Sequence, residues 1–143
     1  MNHPAWQEGG VAVITGGASG IGLAAAKRFA KAGLGVCIAD LGAERIAKAL
    51  DEVRAEAGDA SGKLMGREVD VASRQALEAL QREVASELGD VTVLLNNAGI
   101  SRKTLALGPF EHWQQTLDVN LWGVVHGTQV FVPSMLAHGT RTM

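Results

Sequence analysis

The 143-residue chain is 47% hydrophobic and 20% charged, with a formal net charge of −2 and a mean hydropathy of +0.11. Those values suit one globular domain and provide no basic footprint for nucleic acid or an anionic membrane. No apolar run approaches the ~18 residues of a membrane span, and no basic segment with an apolar stretch opens the chain. The single cysteine excludes an intrachain disulfide and fits a reducing cytoplasm.

Residues 1–10 hold Pro4 and the Gly9–Gly10 pair and read as a flexible lead. Strand-like and helix-like segments then alternate. Val11 to Ile14 is a short apolar run of the kind buried on both faces of a parallel sheet. A helix is predicted over Gly20–Ala32, with Ile21, Leu23, Ala24 and Phe29 at helical spacing and Gly33 as its stop. Val36 to Ala39 is a second apolar run ending at Asp40, and Cys37 within it reads as a small buried hydrophobe rather than a reactive thiol. Ala43–Ala57 is amphipathic through Ile46, Ala49, Leu50 and Val53. A weaker strand over Leu64–Val71 is broken by Gly66 and charged residues, which suits a sheet edge. Ser73 can cap a helix to Leu88, with Leu77, Leu80, Val84 and Leu88 as its apolar stripe. Val91 to Leu95 is a fourth strand, closed by Asn96–Gly99. One long helix follows from Phe110 to about Ala137, with Pro133 expected to kink it or end its regular part, and with Trp113 and Trp122 as packing residues. The order βαβαβαβα implies an α/β fold, a doubly wound parallel sheet with right-handed crossovers and helices on both faces.

The first connector carries the chemistry. Thr15-Gly16-Gly17-Ala18-Ser19-Gly20-Ile21-Gly22 follows a buried-type strand and opens a helix. Small residues there let a pyrophosphate approach the helix N-terminus, whose free N–H groups and dipole favour negative charge. Gly22 would let the helix pack closely. Ala18 departs from G-x-G-x-x-G, and no Lys-Ser/Thr follows the last glycine, so this is not a P-loop. Asp40 ends the next strand, where a carboxylate accepts from the ribose hydroxyls and repels a 2′-phosphate; the plainer alternative is a polar residue that ends a strand. Neither Ser19 nor Leu41 supplies a cation for such a phosphate, so NAD is favoured and NADP disfavoured.

The spacing Thr15-Gly16-x-x-x-Gly20-Ile21-Gly22 resembles the T-G-x-x-x-G-x-G signature of the short-chain dehydrogenase/reductase family. Asp40, Asp70-Val71, Asn96-Asn97-Ala98-Gly99 and Asp118-Val119-Asn120-Leu121 match that family's later motifs in order. The resemblance implies a Rossmann-type NAD-binding domain over 1–143, incomplete and truncated after the fourth strand and the long helix. It implies cofactor contacts from Gly16, Ala18, Ser19, Gly20, Ile21, Gly22, Asp40, Leu41, Asp70, Val71, Asn97, Ala98 and Gly99, and a catalytic role for Asn120. Each match has a bland alternative: Asn96 and Asn97 as a strand-end turn, Asp70 as a helix-start residue near Ser73, Asn120 as an ordinary helix polar residue.

What the resemblance implies chemically is hydride transfer between a small-molecule alcohol or carbonyl substrate and nicotinamide, by a cytoplasmic homo-oligomer (tetramer or dimer). The family's acid–base Tyr-x-x-x-Lys pair has no counterpart here, because the chain contains no tyrosine and no lysine after Lys103. The strand carrying the family's serine would begin near Arg141; Ser101 and Ser134 stand in the wrong context. The 143 residues alone are therefore expected to be inactive. The alternative is a non-catalytic NAD-binding or regulatory protein of the same fold. His3, His112, His126 and His138 share no metal-ligand spacing, so no metal site is expected. An unpaired Val91–Leu95 strand would invite pairing with another chain.

Overall fold

Val11, Ala12, Val13 and Ile14 offer apolar side chains to both faces of a sheet, and every residue of their strand is buried. In the computed structural model, which describes residues 6, 9–60, 62–102 and 106–138, this strand is β1 (Val11–Thr15). After it come α1 (Gly20–Lys31), β2 (Gly35–Asp40), α2 (Ala43–Ala57), β3 (Leu64–Glu68) and α3 (Arg74–Glu87). β4 (Val91–Asn96), α4 (Phe110–Leu117) and α5 (Gly123–Ala137) complete the order. Among the described residues the sheet has four strands in the order β3-β2-β1-β4, and every pairing is parallel. A parallel neighbour needs a crossover, and the helices between the strands provide it. This is the α/β, Rossmann-like fold that the alternating pattern implies. Most of the expected lead over residues 1–10 and the strand expected near Arg141 lie outside the described residues.

Alternation along each strand separates two apolar layers. Val11, Val13, Cys37 and Ala39 pack with Leu77, Leu80 and Val84 of α3 and with Phe131 and Met135 of α5. Ala12, Ile14, Val36 and Ile38 pack with Ala26, Phe29 and Ala30 of α1 and with Ile46, Ala49 and Val53 of α2. Cys37 is fully buried in the first layer, and burial pushes its thiol up to about 12. Among the described residues no helix is long and apolar enough to cross a membrane.

Four sequence expectations need correction. Ile21 is 79% exposed, and the buried stripe of α1 is Gly22, Ala26, Phe29 and Ala30. Ile21 borders a cavity at that end of the helix, so no packed layer covers it. The third strand stops at Glu68 rather than Val71. Val69 still donates to the Asp40 carbonyl (2.9 Å), but Asp70 Oδ1 then accepts from the Ala72 N–H (2.9 Å), and that side-chain turn leads the chain out of the sheet toward α3.

The predicted long helix is interrupted by a π-helical segment over Asp118–Trp122, while α5 runs through Pro133 to Ala137. The irregularity thus lies a full three turns before the proline. Trp113 and Trp122 are half open to solvent rather than packed. They share an exposed apolar strip with Phe110, Leu117 and Leu121.

The two outer strands differ. β3 is an edge, as its glycine and charges suggest, and Arg67 on it pairs with Glu83 (2.5 Å) and Glu87 (2.7 Å) of α3. Among the described residues β4 pairs with β1 alone, and its residues beyond Val91 are only half-buried.

Candidate functional site

Strand order reverses between β1 and β4, and a crevice opens where their carboxyl ends diverge, the usual ligand position in open α/β sheets. Thr15 ties the two strands there. Its side chain is the buried polar group of β1, and Oγ1 accepts from the backbone N–H groups of Asn97 (3.0 Å) and Ala98 (3.1 Å). The hydroxyl donates toward the Leu95 carbonyl at 3.4 Å. Asn97 completes the knot from the other side, its Nδ2 donating to the carbonyls of Thr15 (3.1 Å) and Gly16 (3.0 Å). A buried polar cluster satisfied in this way holds the glycine turn to the end of β4.

Two glycines are required by close approach. Gly16 has φ +64°, and a Cβ there would stand 2.8 Å from Ala98 Cα. A Cβ on Gly22 would collide with the Gly16 carbonyl oxygen and lie 2.6 Å from Asn97 Nδ2. Gly22, expected to serve close packing, makes its close contacts with the turn itself and the end of β4.

The N-terminus of α1 faces this crevice without a side-chain cap, since Ser19 makes no capping bond and the first turn has no acidic residue. Its leading N–H groups are therefore available to an anion. Beside it stands Asp40, whose side chain is only 11% exposed. Asp40 Oδ2 accepts from the Ala18 N–H (2.9 Å), and Oδ1 accepts from the Leu41 N–H (2.7 Å) and from Arg45 Nη2 (2.6 Å).

The crevice encloses about 430 Å³, within the usual range of small-molecule sites. Of the residues predicted from sequence, Gly16, Ser19, Gly20, Ile21, Asp40, Leu41, Asp70, Val71, Asn97, Ala98 and Gly99 line it. Three do not. Ala18 is buried under the turn and holds Asp40; Gly22 lies beneath the turn; Asn120 sits in the π-helical segment. Asn120 instead grips the loop after β4, with Nδ2 donating to the Ile100 carbonyl and Oδ1 accepting from the Ile100 N–H, both at 2.8 Å. Ile100 is itself a lining residue. One N–H and one lone pair of the Asn120 amide remain beyond those two bonds. Asp70 lines the crevice, and its Oδ1 turns the chain toward α3, whose cap is Ser73.

Ala39, Arg45, Val69, Ile100 and Val119 also line the crevice and were not singled out from the sequence. Arg45 matters most, because it brings a cation to Asp40 (2.6 Å) that neither Ser19 nor Leu41 supplies. It lies one helical turn after Leu41, a spacing that returns a side chain to the strand end once a helix begins at Ala43.

A parallel sheet with a small-residue turn, an uncapped helix N-terminus and a shielded acid at its switch point defines a Rossmann-like protein with a nucleotide-type crevice. The chain belongs to the short-chain dehydrogenase/reductase family, whose short chain dehydrogenase model matches residues 10–141. It is 40% identical over 140 residues to an uncharacterized short-chain type dehydrogenase/reductase, y4mP, of Sinorhizobium fredii, covering 92% of this chain and 52% of that one. L-sorbose reductase from Gluconobacter frateurii, solved with NADPH and L-sorbose, superposes with a TM-score of 0.81 at 34% identity, covering 92% and 49%. NAD+-bound xylitol dehydrogenase superposes with a TM-score of 0.83 at 26% identity, covering 92% and 50%. The chain spans about half the length of the curated relatives it matches. The family is one of oxidoreductases that use nicotinamide cofactors on small molecules, and its solved members include both NAD+ and NADPH complexes.

Proposed function

We propose that this chain is the cofactor-binding portion of an NAD-dependent oxidoreductase that transfers hydride between an alcohol or carbonyl substrate and nicotinamide. The observation that carries the reading is the Asp40 carboxylate, shielded from solvent and presented beside the uncapped start of α1. The residues fit the cofactor. The Ser19–Gly22 backbone would hold the pyrophosphate, Asp40 and Leu41 the adenosine ribose, and Asp70 and Val71 the adenine. Asn97, Ala98 and Gly99 would border the second ribose. When bound, the nicotinamide supplies the hydride acceptor or donor. Asn120 holds the loop at Ile100 in place, and its remaining hydrogen-bonding capacity would support the proton relay.

The chain has no tyrosine. On this reading the 143 residues bind the cofactor as a single incomplete domain, and acid–base chemistry comes from sequence they do not contain. The enzyme would be a cytoplasmic homo-oligomer, with the exposed strip of Phe110, Leu117 and Leu121 as the natural contact surface. A second reading is a non-catalytic NAD-binding or regulatory protein of the same fold. An intact mass near 14.9 kDa in the source cells supports the second, and a substantially larger one supports the first.

The cofactor assignment is tested by replacing Asp40 with alanine or serine and titrating NADH and NADPH. NADH binding should weaken by about tenfold, the scale of charge-assisted hydrogen bonds, and the preference over NADPH should narrow. An unmoved affinity ratio refutes the ribose assignment.

A further inference from the structure

Asp40 is already heavily engaged before any nucleotide arrives. A carboxylate offers about four acceptor positions. Ala18 N–H, Leu41 N–H and Arg45 Nη2 take three of them, at 2.9, 2.7 and 2.6 Å. A ribose diol that donates both hydroxyls needs two positions, so one existing donor must give way. Two of the three donors are backbone amides, fixed by the glycine turn and by the end of β2. Arg45 is the third, on the first turn of α2, with a side chain 60% exposed and free of the packing that holds the amides.

Arg45 and Asp40 line the same crevice, so a guanidinium that leaves the carboxylate stays beside the ribose edge. There it offers a planar pair of donors of the kind that binds phosphate bidentately. While it remains paired, it offsets the negative charge that would repel a 2′-phosphate.

We infer that Arg45 is a second cofactor-selecting residue. It yields the Asp40 carboxylate to a 2′-hydroxyl and itself receives a 2′-phosphate, so the pocket rejects NADP less strongly than Asp40 alone would dictate. This rests on the reading that Asp40 faces the adenosine ribose. It also accounts for how one pocket can carry an acid at the strand end and a cation within bonding distance of it.

The test uses two ligands that differ only by the phosphate in question, 5′-AMP and adenosine 2′,5′-bisphosphate, titrated calorimetrically into the 143-residue chain. Wild type, Arg45→Gln and Arg45→Lys are compared, with circular dichroism melts to confirm folding. Arg45→Gln should shift the affinity ratio toward 5′-AMP by up to about fivefold, the scale of one solvent-exposed charge pair. Arg45→Lys keeps the charge without the planar pair of donors and should fall between wild type and Arg45→Gln. If Arg45→Gln binds both ligands with an unchanged ratio, or loses both equally, the inference fails while the Asp40 reading stands. If the wild-type chain binds neither nucleotide, the reading and the inference fall together.

Discussion

Replacing Thr15 with valine keeps the shape of the side chain and removes its hydroxyl. Two backbone N–H groups then lose their acceptor, those of Asn97 and Ala98 at 3.0 and 3.1 Å. The donation to the Leu95 carbonyl at 3.4 Å is long and contributes little. Stranding a buried donor costs about 1–3 kcal/mol, and since both residues are only half-buried the low end applies to each, giving about 2–3 kcal/mol in all. With a urea m-value of about 2 kcal/mol/M, the midpoint should fall by about 1–1.5 M.

Thr15→Ser is the control. It keeps the acceptor and loses one methyl group, for about 1 kcal/mol or less. Urea unfolding followed by circular dichroism would measure both variants. The valine variant should also bind NADH more weakly, because the turn is no longer fastened to β4. If valine proves no more destabilising than serine, the Thr15 knot does not hold the turn and the argument from its hydrogen bonds is wrong.

Ser73→Ala removes the cap on α3, where Oγ accepts from the Ala76 N–H at 3.2 Å, and should cost about 1 kcal/mol in the same assay with an unchanged m-value. Ser73→Asp should recover most of that loss. Cys37 should resist a thiol reagent in the folded chain at pH 8 and react at once in denaturant. Burial raises its folded pKa to about 12 from a usual 9.0, so its contribution to stability is intact below pH 9. That contribution is lost progressively as pH rises toward 12, because only the unfolded state releases the proton. A Cys37→Ala variant should lack this part of the alkaline decline.

Elements with a clear apolar period were legible from the residues alone. Ala43–Ala57 has the predicted bounds, and Ser73 caps α3 with the predicted residue. The edge position of β3 followed from Gly66 and its charges. Ile21 misled because helical spacing reports a face but not whether anything covers it, and the first turn of α1 overhangs the crevice. The π-helical segment gave no sign in the sequence, since Asp118–Trp122 has no glycine or proline to mark it. Pro133, the expected point of disruption, is accommodated within α5.

Within the site, most motif residues line the crevice, whereas the side chain that returns to it from α2 was not legible in the sequence. Arg45 belongs to no motif, and its contact with Asp40 depends on where α2 begins and on the angle at which it leaves the strand. Thr15 entered the sequence reading only as the first letter of a signature. Its two accepted hydrogen bonds join segments more than eighty residues apart, and no local pattern encodes such a tie.

The contrast between the two outer strands gives the sheet a direction of growth. A strand arriving beside β3 would have to disturb Arg67 and its two glutamate partners, and charged side chains on an edge discourage such pairing. Beside β4 no comparable barrier stands among the described residues: Val93, Leu94 and Leu95 are half-buried and their outward backbone groups are unpaired by the sheet. Addition is therefore favoured on one flank, and it is the flank whose strand end is knotted to the glycine turn. Whatever hydrogen-bonds to β4 would also bear on the ordering of Asn97, and through it on the shape of the crevice.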